Sequence, residues 1–258
     1  MNNILIKVEN LVKTFGGLVA LNDCSLEIKD KAITGIIGPN GSGKTTLFNV
    51  ITGNLKPDTG KVFYNGVEIT NEESHDLFHL GVLRTFQIAH EFSNMTVIEN
   101  LMVVPGNQKG EKLLYSLMNS QKIKKEDELI KDKAMEVLKF LKIEHLKNER
   151  AGNLSGGQKK LLELARTMMV DAKIVFLDEV GAGVNKTLLR DISDSILKLN
   201  QDKGYTFCMI EHDFNFISEL CDPVIVLAEG SVLFKGSAED VKSNEQVIES
   251  YLGKGLKK

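Results

Sequence analysis

Gly38-Pro39-Asn40-Gly41-Ser42-Gly43-Lys44-Thr45-Thr46 is the stretch on which the rest of the chain depends. It fits the pattern Gly, four residues, Gly-Lys-Ser/Thr. Before it, Ile33-Thr34-Gly35-Ile36-Ile37 reads as a short buried strand; after it, Leu47-Phe48-Asn49-Val50-Ile51 reads as the apolar side of a helix. A strand feeding a glycine-rich turn into a helix N-terminus aims several backbone N–H groups and the helix dipole at one point. A polyphosphate fits such a point, with Lys44 reaching its β- and γ-phosphates and the Thr45 hydroxyl ligating Mg²⁺. The competing reading, a glycine-rich turn with a chance lysine, does not explain the flanking strand and helix. The stretch reads as a nucleoside triphosphate site.

The bulk composition bounds the rest. The 258 residues suffice for one large domain or two small ones, and 42% hydrophobic with 26% charged residues is ordinary globular material. A formal charge of −3 gives no basic field for nucleic acid. Cys24, Cys208 and Cys221 are far apart and form no Cys-x-x-Cys pair, so a reducing compartment and no structural metal site are expected. The segment Met1 to Lys7 lacks a signal-peptide core, and no apolar run approaches ~18 residues. A cytoplasmic protein that does not itself cross a membrane is expected.

In chain order, Ile4–Val8 and Ser25–Ile28 alternate as strands, with a turn at Lys13-Thr14-Phe15-Gly16-Gly17 between them. Phe15 is either a core anchor or a stacking surface for a purine base. Lys61 to Val67 reads as a hairpin turning at Asn65-Gly66. From about Asn71 to Arg150 helix-period segments dominate: Ser74–Leu80, Thr96–Val103, Lys112–Met118 and Glu126–Lys142. They read as a helical subdomain inserted into an α/β core, its lysine cluster a solvated face. His75 and His79 have helical spacing, but no third zinc ligand is evident. Gln87, after a short apolar strand, either hydrogen-bonds a metal-bound water or caps the next segment.

Ser155-Gly156-Gly157-Gln158 opens an amphipathic helix carrying Leu161, Leu162, Leu164, Ala165, Met168 and Met169. A simple N-cap needs the serine but not two glycines and a glutamine, so this reads as a second anion-binding edge. Two such edges with one phosphate loop suggest two copies sharing their sites. Lys173 to Glu179 is an apolar run ending in two acids, as a buried parallel strand does. At the carboxyl end of such a strand Asp178 is placed to hold Mg²⁺ through water and Glu179 to polarise the attacking water. Tyr205–Ile210 is a further buried strand ending in Glu211-His212-Asp213, where His212 is either a loop residue or a γ-phosphate contact. A final hairpin (Pro223–Leu227, Ser231–Phe234) precedes a short helical tail.

These motifs together resemble the ATP-binding subunit of an ABC transporter. The resemblance runs over essentially the whole chain and in the family's order: Phe15, the loop Gly38 to Thr45, Gln87, the signature Leu154 to Gln158, Asp178 with Glu179, and His212. Arg84-Thr85-Phe86-Gln87, Met95 to Leu101, Ile210 to Asp213 and Tyr251-Leu252-Gly253 are similar to ATPases of branched-chain (hydrophobic) amino-acid importers.

The resemblance implies an α/β fold with a P-loop NTPase (RecA-like) core, an antiparallel β subdomain and an inserted α-helical subdomain. It implies a single nucleotide-binding domain over 1–258: core and β subdomain at about 1–86 and 160–236, helical subdomain with the signature at about 87–159, helical tail at about 237–258. It further implies ATP and Mg²⁺ as cofactors, with Phe15 stacking on adenine and Gln87 sensing the γ-phosphate and Mg²⁺. Lys44, Glu179 and His212 complete the catalytic set, His212 as the switch histidine. Ser155 and Gly157, with Gly156 and Gln158 beside them, would contact ATP held by the opposite subunit. The implied partners are a second ATP-binding subunit, two transmembrane permease subunits and, indirectly, an external binding protein, with this chain peripheral on the inner face of the cell membrane; nucleic acid is not among them. Two departures stand out: Val180 where the family usually has proline, and Asn185 where many members have aspartate. A urea, amide or other amino-acid importer is the nearest alternative, and a soluble DNA-repair ATPase the alternative of a different class. The latter needs long heptad segments, whereas this insert of about 80 residues is broken by Pro105, Gly106 and Gly110.

Overall fold

Three stretches that are apolar almost end to end form strands buried along their whole length: β3 (Ile33–Ile37), β7 (Ile174–Asp178) and β8 (Thr206–Ile210). That is the pattern of a parallel sheet covered on both faces. The structure, a computed structural model, describes residues 3–85, 91–106, 108 and 120–252. It divides into two compact units, Met1–Gln87 with Lys173–Ala182 and Leu197–Lys258, and Ile88–Ala172 with Gly183–Ile196.

In the first unit β6 (Val82–Arg84), β9 (Val224–Ala228) and β10 (Ser231–Gly236) complete a six-stranded sheet of order β10-β9-β3-β8-β7-β6. All its pairings are parallel except that of the edge strand β10. Ile36 pairs with Ile210, and Ile210 with Asp178. The segments leaving β3, β8 and β7 therefore emerge side by side at one sheet edge, with neighbouring strands about 4.8 Å apart.

A second sheet, of order β2-β1-β4-β5, is antiparallel: β1 (Ile4–Phe15), β2 (Leu18–Lys29), β4 (Thr59–Tyr64) and β5 (Val67–Glu68). The first two strands are longer than the sequence pattern predicts. Thr14 pairs with Val19 and Phe15 with Leu18 across Gly16-Gly17, so the expected turn at Lys13 to Gly17 shrinks to its two glycines. Register shifts between Val8 and Leu11 and on to Lys13 break the two-residue period that would have revealed the extension. Both sheets share a core with α1 (Lys44–Ile51), in which Phe48 meets Phe176 edge to face at 5.0 Å. The short α2 (Ser74–His79) precedes β6.

The second unit is helical. Thr96 caps α3 (Val97–Met102) in a reciprocal box with Glu99, and the buried Asn100 side chain bonds the backbone of Phe92 and Thr96. α4 (Ser120–Phe140) and α5 (Gly156–Met168) pack with α3, and Leu101, Ala134, Leu138 and Leu161 of these helices are buried. The expected helix at Lys112 to Met118 lies outside the described residues. α6 (Lys186–Lys203) begins in this unit, whereas α7 (Phe214–Leu220), α8 (Ala238–Ser243) and α9 (Glu245–Leu252) belong to the first.

Candidate active site

The turn after β3 ends in Gly43, whose φ of 98° is open to glycine and strained for other residues. A Cβ there would also lie 2.4 Å from the Ala20 carbonyl oxygen, so the sequence has no alternative to glycine. Gly43 caps α1 without a side chain, and the first N–H groups of that helix are left for a ligand. Lys44 Nζ donates to the carbonyls of Gly38 (2.9 Å) and Pro39 (3.1 Å), which folds it back over its own loop. Burial pushes its pKa down, and the carboxylates of Glu179 and Asp178 push it back up. The Ser42 hydroxyl is buried without a hydrogen-bond partner among the described residues, an orphan that costs about 1–3 kcal/mol and that a phosphate oxygen satisfies. Thr45 and Thr46 sit in the first turn, with Thr45 exposed. A cavity of about 810 Å³ borders the loop at Pro39 to Ser42, but the rest of its lining comes from the β9–β10 hairpin and α9, not from Lys44, Asp178, Glu179 or His212.

Asp178 ends β7, 1% exposed, and its Oδ2 accepts from Arg84 at 2.8 Å. Arg84 also donates to Asn49 Oδ1 and lies over the Phe48 ring. The pair gives a buried carboxylate an opposite charge as its partner at the sheet edge. Glu179 follows with a left-handed φ of 51°. Its N–H donates to Ile210 at 2.9 Å, and its Oε1 lies 2.9 Å from His212 Nε2. His212 leaves β8 beside the buried Glu211, whose carboxyl accepts from Gly181 N–H at 2.8 Å. Burial, then the neighbouring Glu179 charge, push the Glu211 pKa up to about 7, against its hydrogen bonds from Gly181 and His212.

Phe15 is 49% exposed on the first hairpin, with Lys13 Nζ 5.8 Å from its ring, so the core-anchor reading falls. The strand leading to it is pinned by Asp58, which accepts from Lys13 Nζ, Thr14 N and Thr14 Oγ1. Gln87 lies outside the described residues.

In the helical unit Ser155 caps α5, and here the structure corrects an inference. Gln158 is the other half of a capping box: its Oε1 accepts the Ser155 N–H at 2.9 Å, and Ser155 Oγ accepts the Gln158 N–H at 3.4 Å. The glutamine is thus explained by the helix start itself. Gly157 has a packing reason as well, since a Cβ there would meet Leu188 Cδ2 at 2.2 Å. Gly156 has open space around it.

The first unit therefore brings Gly38 to Thr46, Asp178, Glu179 and His212 together around one sheet edge. Arg84 and Glu211 belong with them and were not singled out from sequence. Their signal was an ionisable residue at the end of an apolar strand, the same that marked Asp178. His75 and His79 lie with their Nε2 atoms 3.3 Å apart, and among the described residues no group of three or more His, Cys, Asp or Glu side chains is arranged to hold a metal ion. No described helix is long and apolar enough to cross a membrane.

Known proteins resemble the chain over nearly its whole length. The ABC transporter family model matches residues 21–182. A probable branched-chain amino acid transport ATP-binding protein LivG from Archaeoglobus fulgidus is 43% identical over 249 residues, 96% of this chain and 95% of that one. The crystal structure of the ADP conformation of MJ1267, an ATP-binding cassette of an ABC transporter, matches with a TM-score of 0.82 at 40% identity, covering 97% and 99% of the two chains. MJ0796, a cassette solved as a dimer in a post-hydrolysis state with ADP and Pi, matches with a TM-score of 0.74 at 25% identity, covering 91% and 99%. The phosphate loop, the buried acid beside it and the full-length likeness agree: the chain belongs to the ABC transporter family as an ATP-binding cassette, and it is an ATPase.

Proposed function

We propose that the chain powers an importer of branched-chain amino acids, pairing with a second cassette under two permease subunits that an external binding protein supplies. It works peripherally, on the inner face of the membrane. The observation that carries the catalytic part is the sheet edge itself, where Lys44, Asp178, Glu179 and His212 gather around a loop with a buried hydroxyl that has no partner among the described residues. The substrate is inferred from the Archaeoglobus relative, a probable branched-chain amino acid transport protein, and the dimer from MJ0796.

In this reading ATP lies along the loop from Gly38 to Thr46, with Phe15 stacked on its base. Glu179 takes a proton from the attacking water while His212 orients that carboxylate and meets the γ-phosphate. The donor set fits Mg²⁺: the exposed Thr45 hydroxyl and the Asp178 carboxylate are hard oxygen ligands, and Gln87 is the third candidate. Arg84 occupies only one Asp178 oxygen, which leaves the other for a metal-bound water. When bound, the ion neutralises charge on the β- and γ-phosphates. Ser155, Gly156, Gly157 and Gln158 of each copy face the nucleotide of the other.

The test is to solubilise native membranes in mild detergent, purify this chain and identify its companions by mass spectrometry. Two polytopic membrane proteins and a related ATPase are expected, and the recovered transporter should take up labelled leucine in preference to urea. Only soluble or DNA-associated companions would overturn the reading; preference for urea would overturn its substrate.

A further inference from the structure

Glu179 stands on a backbone that glutamate disfavours, and such a conformation persists only where its surroundings hold it. Two main-chain bonds contribute: Glu179 N–H to Ile210 O at 2.9 Å, and Ala182 N–H to Glu179 O at 3.2 Å. The turn itself is pliable. Val180 leaves its φ free, as a proline would not, and Gly181 is freer still. A further restraint on the turn is a side chain, Glu211, whose Oε1 takes the Gly181 N–H at 2.8 Å.

Glu211 is 4% exposed, too enclosed to meet a substrate. The groups facing it are Glu179 and His212 from the site and Cys221 after α7. A second carboxyl buried beside the first is a costly arrangement, and an apolar side chain of the same size would avoid that cost. What the carboxyl adds is an acceptor for two backbone N–H groups, that of His212 beside it and that of Gly181 in the turn that carries Glu179.

We propose that Glu211 is a positioning residue: by accepting the Gly181 N–H it pins the turn from Glu179 to Ala182 and keeps the Glu179 carboxylate against His212. The proposal rests on the reading of Glu179 as the base.

The test compares kcat and KM for ATP in the wild type, Glu211→Gln, Glu211→Met and Glu179→Gln, each as the full chain with Mg²⁺. Methionine keeps the bulk and removes the acceptor; glutamine keeps the acceptor and removes the charge. Glu211→Met should lower kcat by about tenfold or more with KM within about threefold, because a small misplacement of a reacting group is costly. Glu211→Gln should recover kcat to within about threefold of wild type, since its carbonyl still takes the N–H. If the methionine variant does not fold, Glu211→Asp withdraws the acceptor by one methylene and carries the same expected loss. Wild-type kcat in the variant lacking the acceptor, or equal loss in the glutamine variant, would overturn the positioning role. Retained turnover in Glu179→Gln would instead overturn the base assignment, so the two failures are distinguishable.

Discussion

The edge of the parallel sheet and the start of α5 both set a serine and glycines at the beginning of a helix, yet their polar groups are settled in opposite ways. At the sheet edge the groups remain under tension: a buried hydroxyl without a partner among the described residues, a lysine folded over its own loop, a glutamate in the left-handed region, and a buried carboxyl, Glu211, beside the half-buried Glu179. At the start of α5 the serine and glutamine satisfy each other, and Gly157 is accounted for by Leu188. A site that binds and turns over a ligand within one chain leaves its cost visible in that chain. A site completed by another copy can be locally quiet, and only the open surface at Gly156 hints at more.

The sharpest way to break the comparison is to remove the arginine that partners the buried carboxylate at the sheet edge. Arg84 and Asp178 are 9% and 2% exposed and 2.8 Å apart, so solvent cannot replace the lost partner. Arg84→Met should destabilise the chain by about 3–5 kcal/mol in urea denaturation, because an uncompensated carboxylate is left buried. A loss below about 1 kcal/mol would mean that the edge is not organised by this pair, and the contrast with α5 would weaken.

A second effect follows from Glu211. Its pKa stands at about 7 in the folded chain against an ordinary 4.5, because burial and the Glu179 charge disfavour its ionised form. The native state therefore binds the proton more tightly than the unfolded chain does. The resulting stability is fully present below pH 4.5 and is lost as pH rises through about 7, a fall of about 3 kcal/mol. Denaturation of the wild type at a series of pH values should show this slope superimposed on the other titrations. Subtracting the Glu211→Gln profile isolates it, and identical profiles would refute the shift.

Much of this was legible in the sequence, for reasons that differ by element. The strands β3, β7 and β8 are apolar along their length, so both their existence and the meaning of the acids ending β7 could be read directly. The extension of β1 and β2 to Phe15 and Leu18 could not, because register shifts scramble the alternation. Arg84 was invisible as a partner of Asp178, since their meeting depends on β6 pairing with β7 far along the chain. Gln158 is the opposite case: Ser-x-x-Gln before an apolar helix is a capping signature, so the box that opens α5 is legible in the sequence itself. The requirement for Gly157 depends on Leu188, which no local pattern announces.

The smallest expected effect on stability tests the quiet side of the comparison. As a cap, Ser155 uses a lone pair to accept the Gln158 N–H, which leaves its own O–H free to donate to a phosphate. The two roles are compatible in one hydroxyl, and they can be separated. Ser155→Ala removes both and should cost about 1 kcal/mol of stability along with ATPase activity. Ser155→Asp keeps the cap, indeed strengthens it at a helix N-terminus, but replaces a donor with a negative charge. Its thermal stability should match wild type or exceed it, while ATP hydrolysis at protein concentrations that favour dimers should fall at least as far as in the alanine variant. If the aspartate variant hydrolyses ATP normally, Ser155 is a cap and nothing more, and the second anion site must rest on backbone N–H groups alone.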